Sequence, residues 1–118
     1  MLKKVYKIFE RDKEQGVIKN LFKGINNSRT LKAEQWYLAN IKRGRDSGDR
    51  WYITGIHCLP TRELAEDYLD NFRVEKDRIV VECYTAGGLR NKPTNDNVIL
   101  AEDLYITEEE HQKHFKGE

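Results

Sequence analysis

The first apolar–polar alternation, Val5-Tyr6-Lys7-Ile8-Phe9, is rich in β-formers and predicts a strand. The charged stretch Glu10 to Gly16 predicts a turn, and Val17-Ile18-Lys19-Asn20-Leu21-Phe22 a second strand hairpinned to the first. Gly24 to Ser28 breaks the pattern. Thr30 to Ile41 has two readings. Leu31, Trp36, Tyr37, Leu38 and Ile41 line a short helix, or Trp36-Tyr37-Leu38 forms a strand. Ala33, Glu34 and Gln35 favour helix, which suggests a short helical or irregular piece with Trp36 filling one edge of the core. Lys42 to Arg50 has two glycines and no apolar residue, so it reads as an exposed loop. Trp51-Tyr52-Ile53-Thr54 is a strand, continuous with the next one or kinked at Gly55.

The clearest pattern is a strand that runs directly into a helix. In Gly55-Ile56-His57-Cys58-Leu59 the period of two puts Ile56 and Cys58 on one face and His57 and Leu59 on the other. Pro60 ends the strand because it has no N–H for the ladder. Thr61 is the predicted N-cap, and Glu63 sits in the first turn, where the helix dipole favours a carboxylate. Leu64, Ala65, Tyr68, Leu69 and Phe72 then share one face of a helix over 62–72.

Ile79-Val80-Val81-Glu82-Cys83-Tyr84 is β-branched and reads as a central strand. Thr85 to Asn97, with Gly87-Gly88 and Pro93, reads as a long loop. Val98 to Ala101 and Leu104 to Ile106 are short strands separated by Glu102-Asp103. Thr107 with Glu110 three residues on is a capping box that opens a short C-terminal helix. The predicted fold class is α+β. A mixed or antiparallel sheet of about five to seven short strands carries the helix at 62–72, with a short C-terminal helix added.

A chain of 118 residues fits one domain, 1–118. Its 35% charged residues leave a small core, and the 10% aromatic residues argue against disorder. Twenty-one basic residues stand against 20 acidic ones, so there is no global pull toward nucleic acid. The start of the chain has no signal-peptide pattern and no segment has membrane-spanning length, so an intracellular, cytoplasmic setting is expected. Cys58 and Cys83 lie in apolar runs and read as two buried thiols.

The candidate chemistry is sparse. His57, at the strand end, is the histidine best placed for a cleft, with Tyr52 near it. Two polar loops, 42–50 and 85–97, carry Arg43, Arg45, Arg90 and Lys92, and folded together they would bind an anion. Gly87-Gly88 would let a backbone approach a phosphate. His111 and His114 beside three glutamates lack a third ligand, and read as a solvated polar helix with no metal or cofactor. Tyr52, Tyr84 and Tyr105 read as core rings, although aromatic rings on an exposed sheet face stack bases.

Gly55-Ile56-His57-Cys58-Leu59, with Ala65 and Tyr68 after it, resembles a segment of the ADP-ribosyltransferase fold. It also resembles small phage and prokaryotic domains of unknown function. The resemblance covers under a fifth of the chain. The transferases hold NAD with a His or Arg in the first strand, which Val5 to Phe9 lacks, and carry a Tyr where His57 stands. Glu102 or Glu108 would take the place of their late Glu. The resemblance therefore implies a transferase-like domain that has lost its activity.

Two functions follow as expectations. One is a small non-catalytic binding or inhibitor domain that recognises a protein or an anionic ligand through loops 42–50 and 85–97. The other is a transferase-like enzyme with a nucleotide cleft near His57.

Overall fold

A computed structural model describes residues 2–20, 30–39, 43–45, 51–53, 55–70, 77–92 and 95–115; of 43–45, 51–53 and 95–96 it describes the backbone alone. In chain order the elements are β1 (Lys3–Asp12), β2 (Val17–Lys19), β3 (Thr30–Leu31), β4 (Trp36–Leu38), β5 (Arg43–Arg45), β6 (Trp51–Ile53) and β7 (Ile56–Cys58). Then come α1 (Arg62–Leu69), β8 (Arg78–Thr85), β9 (Leu89–Lys92), β10 (Asn95–Ala101), β11 (Asp103–Tyr105) and α2 (Glu108–Lys113). The fold is α+β, as the hydrophobic pattern predicts, and among the described residues every strand ladder is antiparallel.

The main sheet has six strands in the order β3-β2-β1-β8-β11-β4. Three more strands pair as β7-β10-β9, and β5 pairs with β6. The first two sheets are joined. Leu59, just past β7, exchanges both main-chain hydrogen bonds with Tyr6 of β1, at 2.9 and 2.7 Å. At the other end β10 runs into β11 through Glu102. The path β1, β8, β11, β10, β7 and back to β1 is therefore a circuit, and the sheet curls around its interior.

Phase along the strands decides what enters that interior. Val5 and Phe9 of β1, Val81 and Cys83 of β8, Ile56 and Cys58 of β7, and Leu104 of β11 are buried together. Cys58 and Cys83 are free and buried, as predicted. Desolvation pushes the Cys58 thiol up to about 11 and Cys83 well above its ordinary value, so neither is a thiolate near neutral pH.

The opposite phase of β1 and β8 faces outward, where α1 covers it. Ile8, Leu59, Val80 and Val98 are buried with Ala65 of α1, and Leu64 and Leu69 pack against them. Thr61 caps the helix as predicted, its Oγ1 accepting from the Leu64 N–H at 3.2 Å. Two details differ from the expected helix. It ends at Leu69, with Phe72 outside the described residues, and Tyr68 is 41% exposed. The helix is short, so its buried stripe narrows to Leu64, Ala65 and Leu69.

Several expectations are corrected by pairings that are remote in sequence. Trp36-Tyr37-Leu38 is strand β4, because β11 supplies its ladder partners: Trp36 faces Tyr105 and Leu38 faces Asp103. Trp36 fills no part of the core; it is 41% exposed, and Tyr37 points inward in its place. Loop 42–50 contains β5, hydrogen-bonded to β6. Loop 85–97 contains β9 and the start of β10, because Leu89 lies opposite Ala101 and packs against the core. A polar strand survives there because its neighbour provides the ladder. The turn after β1 is also tighter than expected. The strand runs to Asp12, whose Oδ1 accepts from the Gln15 N–H, and Gly16 takes φ 67°.

Gly55, just before β7, lies tight against β10. A Cβ there would stand 2.9 Å from the Ala101 carbonyl oxygen and 3.1 Å from Leu100 Cβ. Gly55→Ala is therefore expected to cost about 1–2 kcal/mol of unfolding free energy, read from urea midpoints. A variant as stable as wild type would show that the two strands separate at no cost.

Candidate functional site

Three of the six candidate residues share one face of the β7-β10-β9 sheet. His57 of β7 and Arg90 of β9 both stand opposite Leu100 of β10, in register. Residues facing each other in an antiparallel ladder point the same way, which places them on one face roughly 10 Å apart across the middle strand. Lys92 lies two residues beyond Arg90 in β9 and returns to that face.

Lys7 was missed by the sequence reading. Its Nζ donates to the His57 carbonyl at 3.0 Å, and the ammonium lies 5.7 Å from the centre of the Phe9 ring. A signal was present: Lys7 has the same phase as the buried Val5 and Phe9, an unusual position for a lysine.

The His57 side chain is exposed at one edge, yet its pKa is pushed down to about 4. Desolvation by its neighbours comes first, followed by Lys92 and Lys7, which disfavour a third positive charge. The imidazole is thus neutral at physiological pH. Arg90 is the partly balanced member: its guanidinium lies 3.8 Å from Glu102 Oε1.

The other candidates belong to the two-stranded β5-β6 sheet. Arg43 and Arg45 lie on β5 and Tyr52 on β6, where Gly44 faces Tyr52; their side chains lie outside the described ones. His114 turns to Glu110 at 2.8 Å, and the rings of His111 and Phe115 are 5.2 Å apart. Among the described residues no group of three His, Cys, Asp or Glu could hold a metal ion. Among them, too, no helix is long and apolar enough to cross a membrane.

The Gly87-Gly88 backbone does not cradle an external phosphate, because the chain's own carboxylates already occupy it. Asp103 Oδ1 accepts from Thr85 Oγ1 at 2.6 Å, from the Ala86 N–H at 2.9 Å and from the Gly87 N–H at 3.1 Å. Glu102 Oε1 accepts from the Gly88 N–H at 3.3 Å. Desolvation pulls the Asp103 pKa upward, but the three hydrogen bonds outweigh it and hold the carboxyl below 3.8. A carboxyl depressed by folding stabilises the native state above its unfolded pKa, and that stabilisation is lost as pH falls through the folded value. Asp103→Asn is therefore expected to lower the urea midpoint at pH 7 and to remove part of the wild-type loss between pH 4 and 2. Parallel pH profiles for the two proteins would contradict this.

No protein-family model matches the chain, and neither a curated protein nor a solved structure matches it.

Proposed function

We propose that the chain is a small binding domain, without catalytic machinery of its own, that holds an anionic phosphate or carboxylate group at the β7-β10-β9 face. His57, Arg90 and Lys92 carry the contact, and Lys7 holds the His57 main chain from the other side of the sheet. The observation behind this reading is the shared register of His57 and Arg90 across Leu100. Lys92 and Lys7 support it, because the positive potential they add to desolvation at the His57 ring also attracts an anion.

Pyrophosphate is the simplest probe. An anion at this face stabilises the imidazolium, so the NMR titration midpoint of His57 should rise from about 4 when pyrophosphate is added at constant ionic strength. By the same linkage, binding should tighten as pH falls. Arg90→Glu with Lys92→Glu should weaken binding by at least roughly tenfold, given the strength of charge-assisted hydrogen bonds. An unmoved His57 midpoint, or binding indifferent to both reversals, would remove this reading. NAD in the same titration separates it from the transferase-like alternative. That alternative needs a carboxylate near His57, and among the described residues the neighbours acting on the ring are cations.

A further inference from the structure

Trp36 of β4, Tyr105 of β11, Tyr84 of β8 and Lys4 of β1 stand opposite one another in register. The alternate residues, Tyr37, Leu104, Cys83 and Val5, point to the buried interior. The three rings therefore line the outer face, which corrects the expectation that Tyr84 and Tyr105 are core rings. α1 covers the neighbouring part of that face, over Tyr6 and Ile8, and stops short of this row. Trp36 is 41% and Leu38 62% exposed, while Tyr84 and Tyr105 are half-buried. The Trp36 and Tyr105 rings meet at 5.0 Å, tilted by 40°.

The charge beside the row is negative. Glu34 accepts from the Tyr105 hydroxyl and, through Oε1, from the Glu108 N–H at 3.2 Å. Glu34 holds a left-handed backbone, φ 59°, unusual for a residue other than glycine, and these bonds keep its carboxylate at the edge of the rings. Glu108 and Glu109 are exposed on the first turn of α2 just beyond it. At the far end Glu82 stands between two cations, 3.6 Å from Lys4 and 3.7 Å from Arg62, so the negative charge is confined to the Trp36 and Tyr105 end. Lys32, exposed on the approach to β4, is a further cation.

We propose that this row is a docking surface for an arginine-bearing peptide segment. A guanidinium stacks on Trp and Tyr faces and pairs with carboxylates in a planar fork. The combination of rings and Glu34 matches both properties. The same carboxylates repel a phosphodiester backbone, which disfavours single-stranded nucleic acid on these rings.

The test uses the intact chain and an octa-arginine peptide, with octa-glutamate and an eight-nucleotide RNA as comparisons. The Trp36 indole N–H is followed by NMR, and self-association by sedimentation. Octa-arginine should bind saturably and shift the Trp36 signal. Trp36→Ala should weaken binding about tenfold, with Trp36→Phe restoring part of it. Glu34→Gln, which keeps the hydroxyl contact and removes the charge, should weaken binding several-fold. The exposed carboxylates on other surfaces, changed as Glu14→Gln and Asp67→Asn, should leave it unaltered. Equal loss in that control, or affinity indifferent to Trp36 and Glu34, would reduce the effect to general charge attraction and overturn the proposal. So would an RNA that shifts Trp36 where octa-arginine does not, or a dimer abolished by Trp36→Ala. If Trp36→Ala fails to fold, the wild-type shift map and Glu34→Gln decide the matter.

Discussion

Phe9→Ala should destabilise the fold by about 3–5 kcal/mol, the largest loss expected from a single substitution here. Phe9 is fully buried in the curled sheet and faces Ile79 across the ladder. Its removal deletes apolar contact and leaves a cavity where strands from both sheets meet. It also strips the Lys7 ammonium of the ring beneath it. For a chain of this length the loss corresponds to a melting temperature lower by roughly 10–20 °C. Urea denaturation is the direct measurement. A midpoint within error of wild type would mean that Phe9 does not occupy the interior.

Glu110→Ala is expected to cost about 1–3 kcal/mol, because it strips the half-buried Glu82 N–H of its acceptor. β11 reaches β8 only where Tyr105 faces Tyr84, so the ladder ends before Glu82. Glu110 continues it: its Oε2 accepts from the Glu82 N–H at 3.1 Å and meets His114 Nε2 at 2.8 Å. Its carboxylate docks α2 on the sheet and stands in for a missing strand carbonyl. Glu110→Gln keeps an acceptor and should lose clearly less. Equal losses for Ala and Gln would assign the effect to charge. Hydrogen exchange at Glu82 supplies a second reading, since protection there should fall with Ala.

That arrangement also revises the predicted capping box. Thr107 caps α2 through Oγ1, accepting from the Glu110 N–H at 3.1 Å. The return bond from the Glu110 side chain to the cap backbone gives way to the Glu82 N–H, because a half-buried donor in the sheet gains more from a carboxylate than one that water can reach. Arg11 fastens the other end of the same helix. It forks onto Asp77 at 2.7 and 3.0 Å and donates to the His114 carbonyl at 2.6 Å.

The candidate site was legible in part. His57, Arg90 and Lys92 could be chosen by residue type and position, and they do share a face. Lys7 could have been found from its phase in β1. The aromatic row could not, because Tyr84 and Tyr105 alternate with apolar residues that the sequence makes equally good candidates for either face. Gly87-Gly88 by itself only allows the approach of an outside anion, because nothing local indicates that Glu102 and Asp103 fold back on it.

Features set by near neighbours were determined by the sequence alone: the strand that stops at Pro60, the Thr61 cap, the Leu64, Ala65 and Leu69 stripe of α1, the β-branched run of β8 and the burial of both thiols. Cap, period and propensity act within one or two turns of chain, so a short window contains their causes. Only the tertiary structure decided that Trp36-Tyr37-Leu38 is a strand, that Leu59 closes the circuit on Tyr6, and which carboxylate satisfies which N–H. Those outcomes depend on cross-strand partners far along the chain. A period of two says which residues share a face, and is silent about what packs against it.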